Sequence, residues 1–240
     1  NRFQNRNLFG KKVMKNRNRE EHVKKVIVFL IFSALCFSEN SIVESKFINI
    51  GNMKIVREQN IKITKEVIDI KFLKDNKISV KTRYFLENTD NRDIKETYIF
   101  SLDQYPGKVP AKYIEKIKYK IGENDVPNLR AVISFDEDGR KIQREWFGIG
   151  GKIHMGQSIV MQVSYILKNI EDNELNYSFN IKNNFLENKA DTLEINIDKG
   201  ERNITSIAYG IYEFYENSDG TYYMNAKDVQ LDGMLTIKYE

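Results

Sequence analysis

The segment 148–158 holds the residue types most able to do chemistry in this sequence of 240 residues. Four glycines within nine residues would let the backbone approach a ligand closely, because glycine carries no side chain. Lys152 could hold an anion there. A phosphate-binding P-loop would need a glycine at Trp146 and a serine or threonine at Ile153, so that motif is absent. We expect a flexible connection between two strands, with Lys152 and His154 as candidate ligand-binding residues.

His154 is the only histidine after residue 38, and it could act as a general base or bind zinc. Ser158 could be a nucleophile beside it, but the Gly-x-Ser-x-Gly elbow is broken at Val160. A zinc site would need carboxylates for all its other ligands, which is an uncommon set. We therefore expect an exposed loop histidine and assign no catalytic residue, metal or cofactor. The alternative is a secreted hydrolase or metal-dependent enzyme that uses the 148–158 loop.

An acidic segment nearby resembles a calcium-binding loop. Four residues match the pattern of such a loop by type and spacing: Asp136, Asp138, Gly139 and Glu145. Its first position, however, is Ser134 rather than aspartate. An Asp-Gly pair between two strands more simply forms a tight turn in which the glycine adopts positive φ. We predict a β-hairpin here.

Aromatic residues concentrate around one predicted hairpin, 204–226: Tyr209, Tyr212, Phe214, Tyr215, Tyr222 and Tyr223. A strand buries one face, so some of these rings must be exposed, and exposed tyrosines make good contact surfaces because they lose little entropy on binding. Alternation predicts that Tyr209 points inward together with Ile211. It also predicts that Tyr212 and Tyr223 are at least partly exposed, and we name these two as candidate ligand-binding residues.

The elements that position these residues are strands. Apolar and polar residues alternate from about residue 60 onward, and a turn at 74–76 separates the stripes 68–72 and 78–86, which predicts a hairpin with one buried face. The best helical candidate, 111–120, fits a strand equally well. We predict an all-β fold over 39–240: an antiparallel β-sandwich, or two immunoglobulin-like sandwiches in tandem. Prolines and glycines place an internal boundary or long crossover within 103–128.

Three segments near the start of this region follow one another as a strand, an Asn-rich turn and an aromatic-ended strand. They are 60–70 (NIKITKEVIDI), 78–90 (ISVKTRYFLENTD) and 93–100 (DIKETYIF). Together they resemble a family of secreted bacterial β-proteins of unknown function. The family's usual proline after the last strand stands here at Pro106. The resemblance implies no catalytic residue.

Residues 1–38 are predicted to be a basic arm followed by a signal peptide. The segment 14–25 is basic, and it is followed by twelve apolar residues, 26–37, and then Ser38. This order predicts a secretory signal peptide cleaved after Ser38. As a helix the apolar run would rise only about 18 Å against a hydrocarbon core of roughly 30 Å, so we expect no stable membrane span after cleavage. The alternatives are an uncleaved membrane anchor and a lipoprotein signal ending at Cys36.

The charge content indicates which partners to expect, and the cysteine content indicates whether disulfides can form. From residue 39 onward there are 29 basic and 32 acidic residues, whereas a nucleic-acid-binding domain needs clustered positive charge. We therefore expect no nucleic acid among the partners. Cys36 is the only cysteine, so the processed chain would contain no disulfide. We predict an exported protein, periplasmic or secreted, that binds a protein or glycan partner in the bacterial cell envelope without catalysing a reaction.

Overall fold

The computed structural model describes residues 49–57, 59–104, 114–127, 129–137, 140–168, 173–179 and 184–240. In these ranges the chain forms β-strands and one 3-10 turn, Leu186–Asn188, and no α-helix. The strands in chain order are β1 (Asn49–Gly51), β2 (Lys54–Ile55), β3 (Ile61–Leu73), β4 (Lys77–Asn88), β5 (Ile94–Gln104), β6 (Ile114–Ile121), β7 (Asn124–Val126), β8 (Leu129–Glu137), β9 (Arg140–Ile153), β10 (Ser158–Leu167), β11 (Glu174–Ser178), β12 (Lys189–Asp198), β13 (Ile204–Tyr209), β14 (Tyr215–Glu216), β15 (Thr221–Gln230) and β16 (Met234–Tyr239). The predicted arm and signal peptide lie outside these ranges.

The strands form two sheets. The first has the order β13-β16-β11-β1-β5-β9-β8, with β2 also paired to β5, and the second has the order β14-β15-β12-β3-β4-β10-β6-β7. Pairing between the described strands is antiparallel except for β1 with β11 and β3 with β12. Parallel neighbours cannot be joined by a tight hairpin, so these two pairs bring together segments far apart in the chain. None of the described elements is a helix long and apolar enough to cross a membrane.

The hairpin predicted from the two stripes is β3–β4, which pairs from Ile61 with Asn88 to Leu73 with Lys77. Its turn contains two residues with positive φ, Asp75 at 58° and Asn76 at 52°. Asp and Asn adopt this region more readily than other non-glycine residues, so the turn cluster in the sequence has a physical role. The segment 111–120, which the sequence left open between helix and strand, is a strand from 114 onward, where the structure describes it.

The sheets pack face to face. Phe72 of β3 meets Tyr239 of β16 with ring centroids 4.7 Å apart, and Phe100 of β5 meets Tyr165 of β10 at 5.1 Å. Buried residues of both sheets form one hydrophobic cluster. The predicted all-β sandwich is confirmed, while two sandwiches in tandem are not. The boundary predicted within 103–128 stays a prediction, and its middle, 105–113, lies outside the described residues.

The hairpin predicted over 204–226 forms only around its turn at 217–220, where β14 pairs with β15, and its N-terminal part is wrong. β13 pairs with β16 in the first sheet, whereas β15 pairs with β12 in the second. The chain turns between them at Gly210, whose φ is +54°, so alternation does not continue through this point. Tyr209 is buried as predicted, but Ile211 is 92 % exposed rather than inward.

Candidate functional site

Tyr215 and Tyr223 lie directly opposite each other in the short β14–β15 hairpin. The loop that joins the two strands is closed by a hydrogen bond from the Asn217 amide to the Thr221 carbonyl, 2.8 Å long. Gly220 adopts φ +80°, a conformation that glycine enters without steric cost. This loop sets the register that makes the two tyrosines neighbours. We call Tyr215 and Tyr223 the tyrosine pair.

The tyrosine pair points away from the core. Met224 is buried, and successive strand residues point to opposite faces, so Tyr223 points to the outer face of the second sheet. Tyr215, as its cross-strand partner, shares that face and is 64 % exposed. Tyr223 is partly exposed, and its hydroxyl accepts a hydrogen bond from Asn225 Nδ2 at 2.8 Å. The pair therefore offers ring surface to a partner.

Tyr212, the other predicted aromatic contact residue, lies at the edge of the core. Its ring stacks on that of Tyr209 with centroids 5.3 Å apart and an interplanar angle of 27°. Tyr209 in turn packs on Phe179 at 4.7 Å. Tyr212 is thus the partly exposed outer ring of a stack of three, and its inner face already has a packing role.

Lys152 and His154 converge on one carboxylate that sequence reasoning did not single out. Asp93 Oδ2 lies 2.7 Å from Lys152 Nζ and 3.1 Å from His154 Nδ1, and Asp93 Oδ1 accepts from the Met155 amide at 3.0 Å. The hydrogen bond from Lys152, the Met155 amide and His154 lower the pKa of Asp93 to about 2. All three side chains are well exposed. These contacts of Asp93 stabilise the turn between β9 and β10.

The glycines of 148–158 do not form the flexible connection that we expected. Gly148, Gly150 and Gly151 lie within strand β9, and only 154–157 form the turn before β10. A Cβ atom on Gly151 would lie 3.0 Å from Tyr98 Cε2, so this glycine makes room for a core ring rather than for a ligand. The acidic segment likewise forms the predicted hairpin, because Glu137 of β8 pairs with Arg140 of β9.

The structure does not bring the four predicted binding residues together. Lys152 and His154 lie at the turn that leads into β10, whereas Tyr223 lies on β15. Strands β12, β3 and β4 lie between β15 and β10. At about 4.8 Å per strand spacing, the distance from β15 to β10 is roughly 19 Å. The tyrosine pair and the Asp93 cluster are therefore separate sites. Within the described part of the chain, no group of three or more His, Cys, Asp or Glu residues could hold a metal ion.

A buried polar cluster lies between the sheets and was also missed from the sequence. Asn52 Nδ2 donates to Glu66 Oε2 at 3.2 Å, and the Tyr84 hydroxyl donates to Asn52 Oδ1. Burial raises the pKa of Glu66 to about 8, although the hydrogen bond from Asn52 opposes the shift. Glu66 Oε1 has no hydrogen-bond partner among the described atoms. The cluster is enclosed by the core and does not reach the surface.

A cleft of about 640 Å³ opens where the β3–β4 turn meets the segment after β12. Its lining is mostly charged, and both of its lysines are paired: Lys74 with Glu201 at 3.2 Å, and Lys71 with Asp198 at 2.6 Å just beside the cleft. Because these two lysines are already paired, they are less available to a partner than the rings of the tyrosine pair.

No protein-family model and no curated protein matches this sequence. Solved structures do match its fold. A protein of Legionella pneumophila described as a "putative nutrient binding protein" superposes with a TM-score of 0.63 at 11 % identity, over 80 % of this chain and 70 % of that chain.

Two further structures match less well. A "putative protease" from Parabacteroides distasonis has a TM-score of 0.47 at 10 % identity, over 75 % of this chain and 40 % of that one. Leukotriene A4 hydrolase from Saccharomyces cerevisiae has a TM-score of 0.41 at 9 % identity, over 75 % and 29 % respectively. The chain spans less than half of these two proteins. At such identities the likeness concerns the β-fold alone.

Proposed function

We propose that this chain is an exported, non-enzymatic β-sandwich protein that binds a protein or glycan partner in the bacterial cell envelope, in the periplasm or outside the cell. The observation that carries the proposal is the tyrosine pair. Two neighbouring tyrosines on the outer face of a sheet, one of them 64 % exposed, present ring surface that the fold itself does not use. Tyrosine is enriched at binding interfaces because its ring is large, rigid and amphipathic.

Two further features support a binding role. The fold resembles that of the Legionella protein described as nutrient-binding, which makes binding a reasonable role for this sandwich. The predicted signal peptide and the absence of cysteine after residue 38 fit a protein that works in the envelope.

The proposal predicts that truncating an outward tyrosine weakens binding but spares the fold. The protein is immobilised and exposed to a solubilised envelope fraction and to a glycan array. Tyr223→Ala should weaken the binding found by about 1–2 kcal/mol, since a contact tyrosine contributes on this scale. Its effect on the free energy of unfolding should stay near 1 kcal/mol or below. Tyr212→Ala tests the second predicted contact by the same binding measurement, and it should also lower the free energy of unfolding because its ring stacks on Tyr209.

Leu129→Ala serves as the matched control, because Leu129 is 77 % exposed and lies on β8 of the other sheet. It should change neither binding nor stability. If Tyr223→Ala and Tyr212→Ala instead destabilise the fold by several kcal/mol and leave binding unchanged, both rings are core residues and the proposed function is wrong.

One observation favours a second candidate, a hydrolase or metal-dependent enzyme. Asp93 orients the imidazole of His154, and a carboxylate behind a histidine is the arrangement that general bases use. The test is elemental analysis of the purified protein together with a hydrolase substrate panel. A stoichiometric transition metal, or hydrolysis, that disappears in His154→Ala but persists in Lys95→Ala would favour the enzyme. If the purified protein holds no such metal and hydrolyses no substrate, the enzyme candidate is wrong and the binding role stands as the proposal.

A further inference from the structure

The tyrosine pair continues into a row of polar side chains across the outer face of the second sheet. In register, Tyr223 of β15 lies opposite Asn196 of β12, Asn196 opposite Asp69 of β3, and Asp69 opposite Lys81 of β4. Residues directly opposite each other in neighbouring strands point to the same face. The row therefore extends from the tyrosine pair towards the middle of the sheet, and Arg83 of β4, two residues from Lys81, points to the same face beside it.

The polar groups of this row are held in place by one another. Asn196 Nδ2 donates to Asp69 Oδ1 at 2.8 Å, and Arg83 Nη2 donates to Asp69 Oδ2 at 3.2 Å. Asp69 and Arg83 each keep about a third of their side-chain surface exposed. The Asn196 amide can donate and accept, the Asp69 carboxylate only accepts and the Arg83 guanidinium only donates. Each of these groups can make several hydrogen bonds, so the bonds between them leave hydrogen-bonding capacity for a ligand. Pre-ordered groups lose little entropy on binding.

The charges beside the row are paired with each other. Asp69 faces Arg83 at 3.2 Å and Lys81 at 3.9 Å, and the neighbouring Glu194 pairs with Lys65 at 2.7 Å. These three cations and two carboxylates leave an excess of one positive charge, which is less than a polyanion needs. A protein partner would favour an interface core depleted of charged residues, whereas the row beside the two rings is polar and charged. An uncharged ligand rich in hydroxyl groups fits best.

We propose that the tyrosine pair and the adjoining row of Asn196, Asp69 and Arg83 form a binding site for a neutral glycan. The apolar C–H face of a pyranose ring would stack on the tyrosines, and the hydroxyl groups of the next sugar would bond to the row. Strands β15, β12 and β3 span roughly 10 Å, a length comparable to two sugar units. The inference rests on the proposed function and narrows it, because it names one class of partner and the residues that recognise it.

The test uses a panel of immobilised neutral oligosaccharides of hexoses and N-acetylhexosamines, with sialylated and sulfated oligosaccharides as charged counterparts. The full chain as exported should bind members of the neutral set. Tyr223→Ala and Asn196→Ala should each weaken this binding at least fivefold. Tyr223→Phe should retain it, because stacking needs the ring and not the hydroxyl. Lys118→Ala is the matched control, since Lys118 is exposed on the same face but lies on β6, beyond β4 and β10.

The other outcomes separate the two proposals. Binding only to charged oligosaccharides, or neutral binding unaffected by both Ala variants, overturns the glycan site. Capture of an envelope protein that Tyr223→Ala weakens, with no neutral glycan bound, overturns the glycan site but leaves the proposed function standing. If the protein binds no oligosaccharide and no envelope protein, both the glycan site and the proposed function are wrong. Thermal unfolding is measured for every variant, and Tyr215→Ala replaces Tyr223→Ala if the latter does not fold, since Tyr215 is 64 % exposed.

Discussion

Glu66 is a buried carboxyl group with no cation paired to it among the described residues. It is fully buried, and its described hydrogen bond comes from the Asn52 amide. A buried charge without a partner is costly, so the neutral form is favoured inside the protein. The free energy of unfolding therefore depends on whether Glu66 is ionised.

The linkage predicts a stability that falls as pH rises. The pKa of Glu66 is about 8 in the folded protein against an ordinary value of 4.5. Below pH 4.5 both states are protonated and the contribution is fully present; between pH 4.5 and 8 the unfolded chain ionises while the folded one does not. The free energy of unfolding should drop by about 5 kcal/mol over this range.

Urea denaturation of the wild type and of Glu66→Gln at pH 5 and pH 8.5 measures this drop. The glutamine variant cannot ionise and should lose this part of the pH dependence. Glu201→Gln, at a well-exposed position, should keep the wild-type profile. Identical profiles for wild type and Glu66→Gln would mean that Glu66 is not neutral in the fold.

The turn after β12 is held against β3 by a close backbone approach. Gly200 has φ +55°, and a Cβ atom there would lie 2.4 Å from the Phe72 carbonyl oxygen. Both the conformation and the space therefore favour glycine. This contact positions the end of the cleft and the start of the connection to β13.

Alanine at three glycines should separate these two effects. Gly150→Ala should be nearly neutral, since it meets nothing within 4 Å and its φ is not in the left-handed region. Gly122→Ala adds only backbone strain, because its φ is +58° in open space, and should cost about 1 kcal/mol. Gly200→Ala adds a clash to the same strain and should cost roughly 2–4 kcal/mol. Chemical denaturation measures all three, and equal losses at Gly122 and Gly200 would contradict the close approach.

At the scale of the whole molecule, the sandwich has one buried interior and an outer sheet face that carries the tyrosine pair. Residues that meet on that face come from distant parts of the chain: Asn196 and Asp69 are separated by 127 positions. A site built this way forms only when β15, β12 and β3 of the second sheet have paired. Export before folding would deliver the chain to the envelope in a state that can assemble it.

Processing of the N-terminal segment is the prediction that belongs to this scale. Expressed with residues 1–38 in a bacterial host, the protein should be exported and lose everything through Ser38, because a basic segment followed by a short apolar run directs cleavage. Intact-mass analysis of the exported protein measures this directly. A Leu30→Arg variant, which interrupts the apolar run, should stay uncleaved. An exported form that retains 26–38 would indicate a membrane anchor instead.

Local alternation in the sequence determined the fold class and the β3–β4 hairpin, because the side-chain period of a strand and the chemistry of a tight turn act over a few residues. It also placed Tyr209 inside. Alternation could not show the register shift between Ile63 and Lys65 of β3. That bulge lets both Ile63 and Ile68 face the core and carries Glu66 inside with them.

Only the tertiary structure decided which segments meet. Gly210 moves the chain from one sheet to the other, so Ile211 is exposed although alternation placed it inward. The parallel pairing of β12 with β3 brings Asn196 to Asp69, and no local pattern encodes that partner. The physical reason is that burial sets the period of each strand locally, whereas strand pairing is chosen by the packing of the whole core. The polar row beside the tyrosine pair is a product of that choice.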